Sequence, residues 1–177
     1  YQITKNNRSY LGLIGCVDIE DYKTGRIIIH EKTLAAKEQQ QIHLLLKRGA
    51  QVKPILLTHA KSNTIDSLLR TQIKKKKPFY EVIFELAKER HTFWEIQDGD
   101  LIQKIQSLFK KDVPYSYIAD GHHRSSATAL MEDRTQSNHD NKSYDQLLCA
   151  FFPTTELEIL DFNRVIEGLN EVSPTFF

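Results

Sequence analysis

The hydrophobic positions along this chain change period repeatedly, and each change marks an element. Leu11 to Val17 is an apolar run containing Gly12 and Gly15, which predicts a buried strand with a bulge or a close backbone approach. A turn over Asp18 to Gly25 leads to Arg26-Ile27-Ile28-Ile29-His30, a β-branched strand. Thr33 can cap a helix in which Ala35, Ile42, Leu45 and Leu46 share one face as far as Arg48, with Gly49 as its stop. Pro54 to Thr58 reads as a short strand, and Ile65, Leu68, Leu69 and Ile73 as the apolar stripe of a second helix.

Val82, Phe84 and Leu86 alternate with polar neighbours, and His91 to Ile96 alternates again, which predicts a hairpin around Lys88-Glu89. Leu101, Ile102, Ile105, Leu108 and Phe109 repeat at helical spacing. The apolar run Tyr115 to Ala119 reads as a strand, and the small-residue run Ser125 to Leu130 as a helix that follows it. Arg134 to Ser143 is polar and reads as a flexible connector. Leu147 to Phe152 and Leu157 to Phe162 read as two more strands. No internal repeat is visible. Mixed strands and helices with hairpins predict one α+β domain over residues 1–177 rather than a doubly wound sheet. Residues 60–112, between the Pro54 strand and the Tyr115 strand, read as an insertion carrying a hairpin and helices. The chain starts at Tyr1 without Met and stops just after Ser173-Pro174, a helix-start signal whose helix never follows, so it reads as an excerpt of a longer protein.

Composition narrows the function classes. Of 177 residues, 24 are basic and 23 acidic, a net charge of +1 without the basic excess of a general nucleic-acid binder, so no nucleic-acid partner is expected. The cationic run Lys74 to Lys77 reads as a solvated loop. Two cysteines, Cys16 and Cys149, each lie in an apolar segment and read as buried thiols, with neither a disulfide framework nor a zinc spacing. No apolar window is long enough for a membrane span and no secretory leader pattern is visible, so the cytoplasm is the default expectation. The oligomeric state is not legible.

Candidate chemistry concentrates in Asp120-Gly121-His122-His123-Arg124, placed between a strand and a helix start. A helix N-terminus exposes unpaired N–H groups and a partial positive charge, so it suits an anion. Gly121 lets the backbone turn tightly, Arg124 can fork two hydrogen bonds to a phosphate, and Ser125 and two imidazoles stand beside it. Adjacent His122 and His123 point in different directions on a helix and lack an i,i+4 partner, which argues against zinc. A second cluster is His30-Glu31 with Thr33, Lys37 and Glu38. Glu31 falls at a strand-to-helix junction, where a carboxylate caps N–H groups or acts as a general base, and capping is the simpler reading of the spacing alone. His91, near Trp94, and Asn163-Arg164 are further candidates, each with a plain structural reading: a satisfied strand histidine, a core tryptophan and a capped turn.

The order His30-Glu31-x-Thr33…Lys37-Glu38, Pro54-Ile55-Leu56-Leu57, Asp120-Gly121-His122-His123-Arg124 and Asp161-Phe162-Asn163-Arg164 resembles the domain of unknown function family numbered 1015 over essentially the whole chain. Where that family usually carries an acidic and a basic residue after the Lys-Glu pair, this chain has Gln40 and Gln41. The order is also similar to the ParB/sulfiredoxin fold, a mixed sheet with flanking helices. Within that superfamily the motif is most similar to free serine kinases, which also carry Asp-Gly-His-His-Arg. Sulfiredoxins place Cys before His-Arg, where this chain has His122, and ParB proteins add a helix-turn-helix that is not found here. The kinase resemblance implies Glu31 as the base, with His123 assisting. It implies Asp120 to Ser125 as the phosphate and nucleotide site, and Asp120 as a contact for Mg²⁺. His30, Thr33, Lys37, His91, Asn163 and Arg164 become substrate or supporting residues. The implied activity is phosphoryl transfer from ATP or ADP to a small hydroxyl substrate such as free L-serine. The rival expectation is a nucleotide-binding switch or scaffold without turnover.

Overall fold

The computed structural model describes residues 1–138 and 144–161, with side chains described outside residues 136–138. Strands β1 (Gln2–Lys5), β2 (Arg8–Leu11) and β3 (Leu13–Asp18) lead to helix α1 (Ile19–Lys23), strand β4 (Ile27–Ile28) and helix α2 (Ala35–Arg48). Strand β5 (Ile55–His59), helix α3 (Asn63–Lys75), strands β6 (Tyr80–Phe84) and β7 (Glu89–Phe93) and helix α4 (Gly99–Asp112) follow. Strand β8 (Ser116–Asp120), helix α5 (His122–Asn138), strand β9 (Gln146–Pro153) and a 3₁₀ turn at Thr154–Glu156 complete the order. The architecture is α+β, with two sheets. An antiparallel one runs β2-β1-β7-β6, and a mixed one runs β3-β9-β5-β8-β4, in which β5 lies parallel to β9 and β4 parallel to β8.

The mixed sheet carries the core. Ile55, Leu57, Ile118, Leu147 and Cys149 are buried on its strands, and Ile19, Ile27, Ala129 and Phe151 join them. A fully buried aliphatic side chain such as Leu57 contributes about 1.5–3 kcal/mol, so the centre of this sheet is the most strongly held part of the fold. Helix α5 is buried on more than one side, against the sheet through Ala129 and against α2 through Ala127 and Met131. Its small residues Ser125, Ala127, Thr128 and Ala129 allow that close approach. Residues 60–112 hold α3, the β6–β7 hairpin and α4; the hairpin completes the antiparallel sheet through β1–β7 pairing.

Several expectations change on folding. The apolar run from Leu11 is not one bulged strand: the chain leaves one sheet and enters the other at Gly12. A Cβ there would lie 2.6 Å from the Phe151 carbonyl oxygen and 2.7 Å from the Phe152 ring. The expected turn at Asp18 to Gly25 contains α1, capped by Asp18 accepting from the Glu20 N–H, in a helix too short to show a period. The strand at Arg26 to His30 contracts to two residues, because β4 pairs with β8 only at Ile27 and Ile28. Helix α2 starts at Ala35, with Leu34 rather than Thr33 at its cap and no side-chain cap bond, and ends on left-handed Gly49 as expected. Lys74 and Lys75 form the last turn of α3, where cations suit the helix dipole, rather than a loop. The start of the expected connector at Arg134 is helical as far as Asn138. Residues 157–161 form no strand, and Ile159 and Leu160 are exposed with no sheet to join. Cys149 is buried, which pushes its thiol up to about 12, whereas Cys16 falls on the open face of β3 and is exposed. Among the described residues, no helix is long and apolar enough to cross a membrane.

Candidate functional site

The junction of β8 and α5 is built by three local devices. Leu56 pairs with Asp120 and Leu57 with Ile118, so Ala119 is an extra residue, a bulge that re-aims the end of the strand. Gly121 then takes φ +113, a conformation that a Cβ strains, and a Cβ there would stand 2.8 Å from the Arg124 guanidinium. Helix α5 begins at once. Its Ser125 N–H bonds the Gly121 carbonyl at 3.0 Å, which leaves the N–H groups of His122, His123 and Arg124 without an intrahelical acceptor. The Ser125 side chain is used up locally: it is fully buried and bonds the same carbonyl at 3.2 Å, so its hydroxyl does not face a phosphate as the motif implied.

Arg124 bridges three elements. Its terminal nitrogen donates to Asp120 Oδ2 at 2.9 Å and to the Pro54 carbonyl at 3.3 Å, while its Nε is buried with no partner. Lys53 also reaches Asp120 Oδ2, at 3.4 Å. Partial burial works to raise the Asp120 pKa, but the Arg124 hydrogen bond and charge, with Lys53, outweigh it and hold the carboxyl below its ordinary value.

Residues 29–34 form an irregular segment between β4 and α2, and they bring His30 and Glu31 to the start of α5. The His30 and His122 rings meet edge to face at 4.4 Å, and a Glu31 carboxylate oxygen lies 3.8 Å from His122 Nδ1. His122 is 5% exposed and its Nε2 has no hydrogen-bond partner. Burial, then the charge of His30, lowers its pKa against the opposing pull of Glu31, so the imidazole is neutral near pH 7. Glu31 itself is 58% exposed.

The other histidine of the pair does different work. His123 Nε2 accepts from the Leu34 N–H at 3.3 Å, so this ring caps α2 from across the interface and its accepting nitrogen is engaged. Beside it, Glu38 Oε1 accepts from Thr33 Oγ1 and from Ser126 Oγ, both at 2.5 Å. The Ser126 bond above all, then the Thr33 bond, depress the Glu38 pKa.

These elements enclose a pocket of about 250 Å³ lined by Glu31, Lys37, Gln40 and Gln41 and by residues 119–124. The pocket thus brings together Glu31, Lys37 and the whole Asp120 to Arg124 motif. Thr33 stands behind it, bonded to Glu38. His91 goes elsewhere: it lies on β7 in the antiparallel sheet, where Nδ1 meets the Tyr1 hydroxyl at 2.6 Å and the ring packs on Phe84. Trp94 is only partly buried and donates to the Lys76 carbonyl. Asn163 and Arg164 lie outside the described residues. Of the further neighbours, Glu38 belongs to the sequence cluster around His30-Glu31, Gln40 and Gln41 enter the sequence reading only as departures from the family pattern, and Lys53 is not a sequence candidate. Lys37, Gln40 and Gln41 stand at i, i+3 and i+4, one helical face, a signal present in the sequence. A larger cleft, about 840 Å³, runs along β3 beside α3 and α4; Leu13, Leu69, Ile105 and Phe109 make it mainly apolar, and its charged lining includes the Arg26–Asp21 ion pair at 3.3 Å.

The donor set of this pocket suits a phosphate: the N–H groups of residues 122–124, the Arg124 guanidinium and Lys37 line it, and Lys53 meets Asp120 from outside. It fits Mg²⁺ as a companion of phosphate, since that ion takes one or two carboxylates and keeps waters. Both cations meet Asp120 at Oδ2. Among the described residues, no group of three or more His, Cys, Asp or Glu side chains is placed to hold a metal by itself. No curated protein and no solved structure matches the chain. A family match covers residues 1–177, and the chain belongs to that family, described as "Protein of unknown function (DUF1015)".

Proposed function

We propose that this chain is a nucleotide-dependent phosphotransferase acting on a small hydroxyl substrate, with free L-serine the first candidate, on a fold of the ParB/sulfiredoxin-like kind. The observation that supports this reading most is the meeting of Glu31 and the α5 N-terminus in one pocket, a carboxylate beside an anion cradle. Phosphoryl transfer asks the protein chiefly for positioning and charge stabilisation. Glu31 takes the proton of the substrate hydroxyl as its oxygen bonds to phosphorus, and the shortened nucleotide leaves with the electrons of the broken bond. Arg124 and the N–H groups of residues 122–124 hold the phosphoryl oxygens, and Lys37 and Lys53 add positive charge. Magnesium, held with Asp120, would supply further neutralisation of the phosphates. His123 acts by positioning, since its Nε2 is already engaged by Leu34. Nucleotide chemistry with unbridged cysteines fits a cytoplasmic protein.

The rival reading, a nucleotide-binding switch without turnover, draws on the exposure of Glu31. Phosphorus NMR of the chain with ATP or ADP, magnesium and L-serine separates the two. Phosphoserine that disappears in Glu31→Gln while nucleotide binding persists supports the kinase. Nucleotide binding with no product across a panel of hydroxyl compounds leaves the switch standing alone. Unchanged nucleotide affinity in Arg124→Ala removes the basis of both.

A further inference from the structure

The proposed base sits on the least regular part of its surroundings. Residues 29–34 belong to no helix or strand, and the Glu31 carboxylate approaches His122 at 3.8 Å, too long for a hydrogen bond. A catalytic carboxylate on such a segment needs its support from neighbouring groups. Three bonds supply it at the α2 end: Thr33 Oγ1 to Glu38 Oε1, Ser126 Oγ to the same oxygen, and the Leu34 N–H to His123 Nε2. Two of the partners, Ser126 and His123, stand on the first turns of α5, the helix whose N-terminus forms the cradle.

We propose that Glu38 is a positioning residue: its carboxylate clasps the start of α2 to the first turns of α5 and thereby sets where Glu31 stands over the cradle. This rests on the reading of Glu31 as the base. The apolar contact of Ile42 with Ala127 and Met131 also joins the two helices, but it lies one turn further along α2 and does not reach residues 29–34. One anionic oxygen accepting two hydroxyl protons is a charge-assisted junction, and an amide oxygen in its place accepts both more weakly. The clasp also assigns a tautomer: with Nε2 accepting from Leu34, neutral His123 carries its proton on Nδ1.

The test uses Glu38→Gln in the full chain, with two readouts. The first is nitrogen-resolved NMR of the His123 ring and hydrogen exchange at the Leu34 amide, with no substrate present. In the unsubstituted protein, His123 is expected as the Nδ1–H tautomer with Leu34 protected. In Glu38→Gln the ring becomes a mixture of tautomers and Leu34 exchanges about tenfold faster. The second readout is turnover with MgATP and whichever hydroxyl compound of the panel is phosphorylated. There kcat is expected to fall about tenfold to a hundredfold, while the affinity for MgADP moves by less than about twofold, since the cradle donors are untouched. Thr33→Val, which removes one leg only, serves the same measurements if Glu38→Gln does not fold. An unprotected Leu34 amide, an unchanged His123 tautomer in the variants, or an unchanged kcat overturns the clasp. Absence of any turnover in the unsubstituted protein overturns the function proposed above, and the NMR readout still decides the clasp.

Discussion

Two buried histidines, His59 and His122, lie at opposite fates in the same sheet-and-helix core. His59 is 2% exposed, donates from Nδ1 to the Ala60 carbonyl at 2.8 Å and packs its ring edge on Phe109. His122 is almost as buried, yet its Nε2 is unpartnered and its neighbours are His30 and the Glu31 carboxylate. Burial lowers the pKa of both, so neither burial nor pKa separates them. The difference is satisfaction. A buried polar group with its bond made is part of the packing, whereas one left without a bond is held at a cost in stability that a ligand can relieve. Two of the three buried orphan atoms among the described residues, His122 Nε2 and Arg124 Nε, fall in the first turn of α5 at the candidate site; the third, Thr58 Oγ1, lies on β5.

The sharpest challenge to that contrast lies at the carboxylate beside His122. Glu31→Gln is expected to lower turnover by about 10²- to 10⁴-fold with nucleotide binding retained, and a rate assay beside a calorimetric titration checks it. Next in size, Arg124→Ala is expected to weaken nucleotide affinity about tenfold to a hundredfold, through loss of charge-assisted bonds. Paired leucine substitutions then compare the histidines directly. His59→Leu leaves the Ala60 carbonyl without its donor and is expected to cost about 1–3 kcal/mol, whereas His122→Leu removes a nitrogen with no bond to lose and costs less than about 1 kcal/mol. Urea midpoints measure both, and equal losses would erase the contrast.

The smallest effect is in pH. Both histidines have folded pKa values below the ordinary histidine value of about 6.5, so the unfolded chain binds more protons between the two values. Their contribution to stability is complete above that ordinary value and is lost as pH falls below it, and His59→Leu should flatten the acid side of the profile. Inorganic pyrophosphate bound at α5 should raise the pKa of His122 and leave that of His59 unchanged, a shift read from the ring proton resonances.

Much of the site was visible before folding because it is local. Asp120, Gly121 and Arg124 are four residues apart at most, and a strand, a glycine and a helix start are enough to imply an anion cradle. Helical spacing also puts Gln40 and Gln41 on the face of Lys37, although only Lys37 was a sequence candidate. The antiparallel β1–β2 hairpin passed unpredicted although Asn6 and Asn7, both at positive φ, mark its two-residue turn. For Ser125 and His123, the motif left open which way each side chain turns. Which way a hydroxyl or an imidazole turns depends on what lies opposite, the Gly121 carbonyl in one case and the Leu34 N–H in the other.

Period and turn chemistry along the chain determined the α+β class, the long helices, the hairpin around Lys88 and the strand–glycine–helix motif, because these depend on residues a few positions apart. Only the tertiary structure decided that Glu31 meets His122, that His91 belongs to another sheet, and that Glu38 joins α2 to α5. Each of those pairings spans dozens of residues. It is selected by burial of the shared core rather than by any local preference, so no spacing within the sequence announces it.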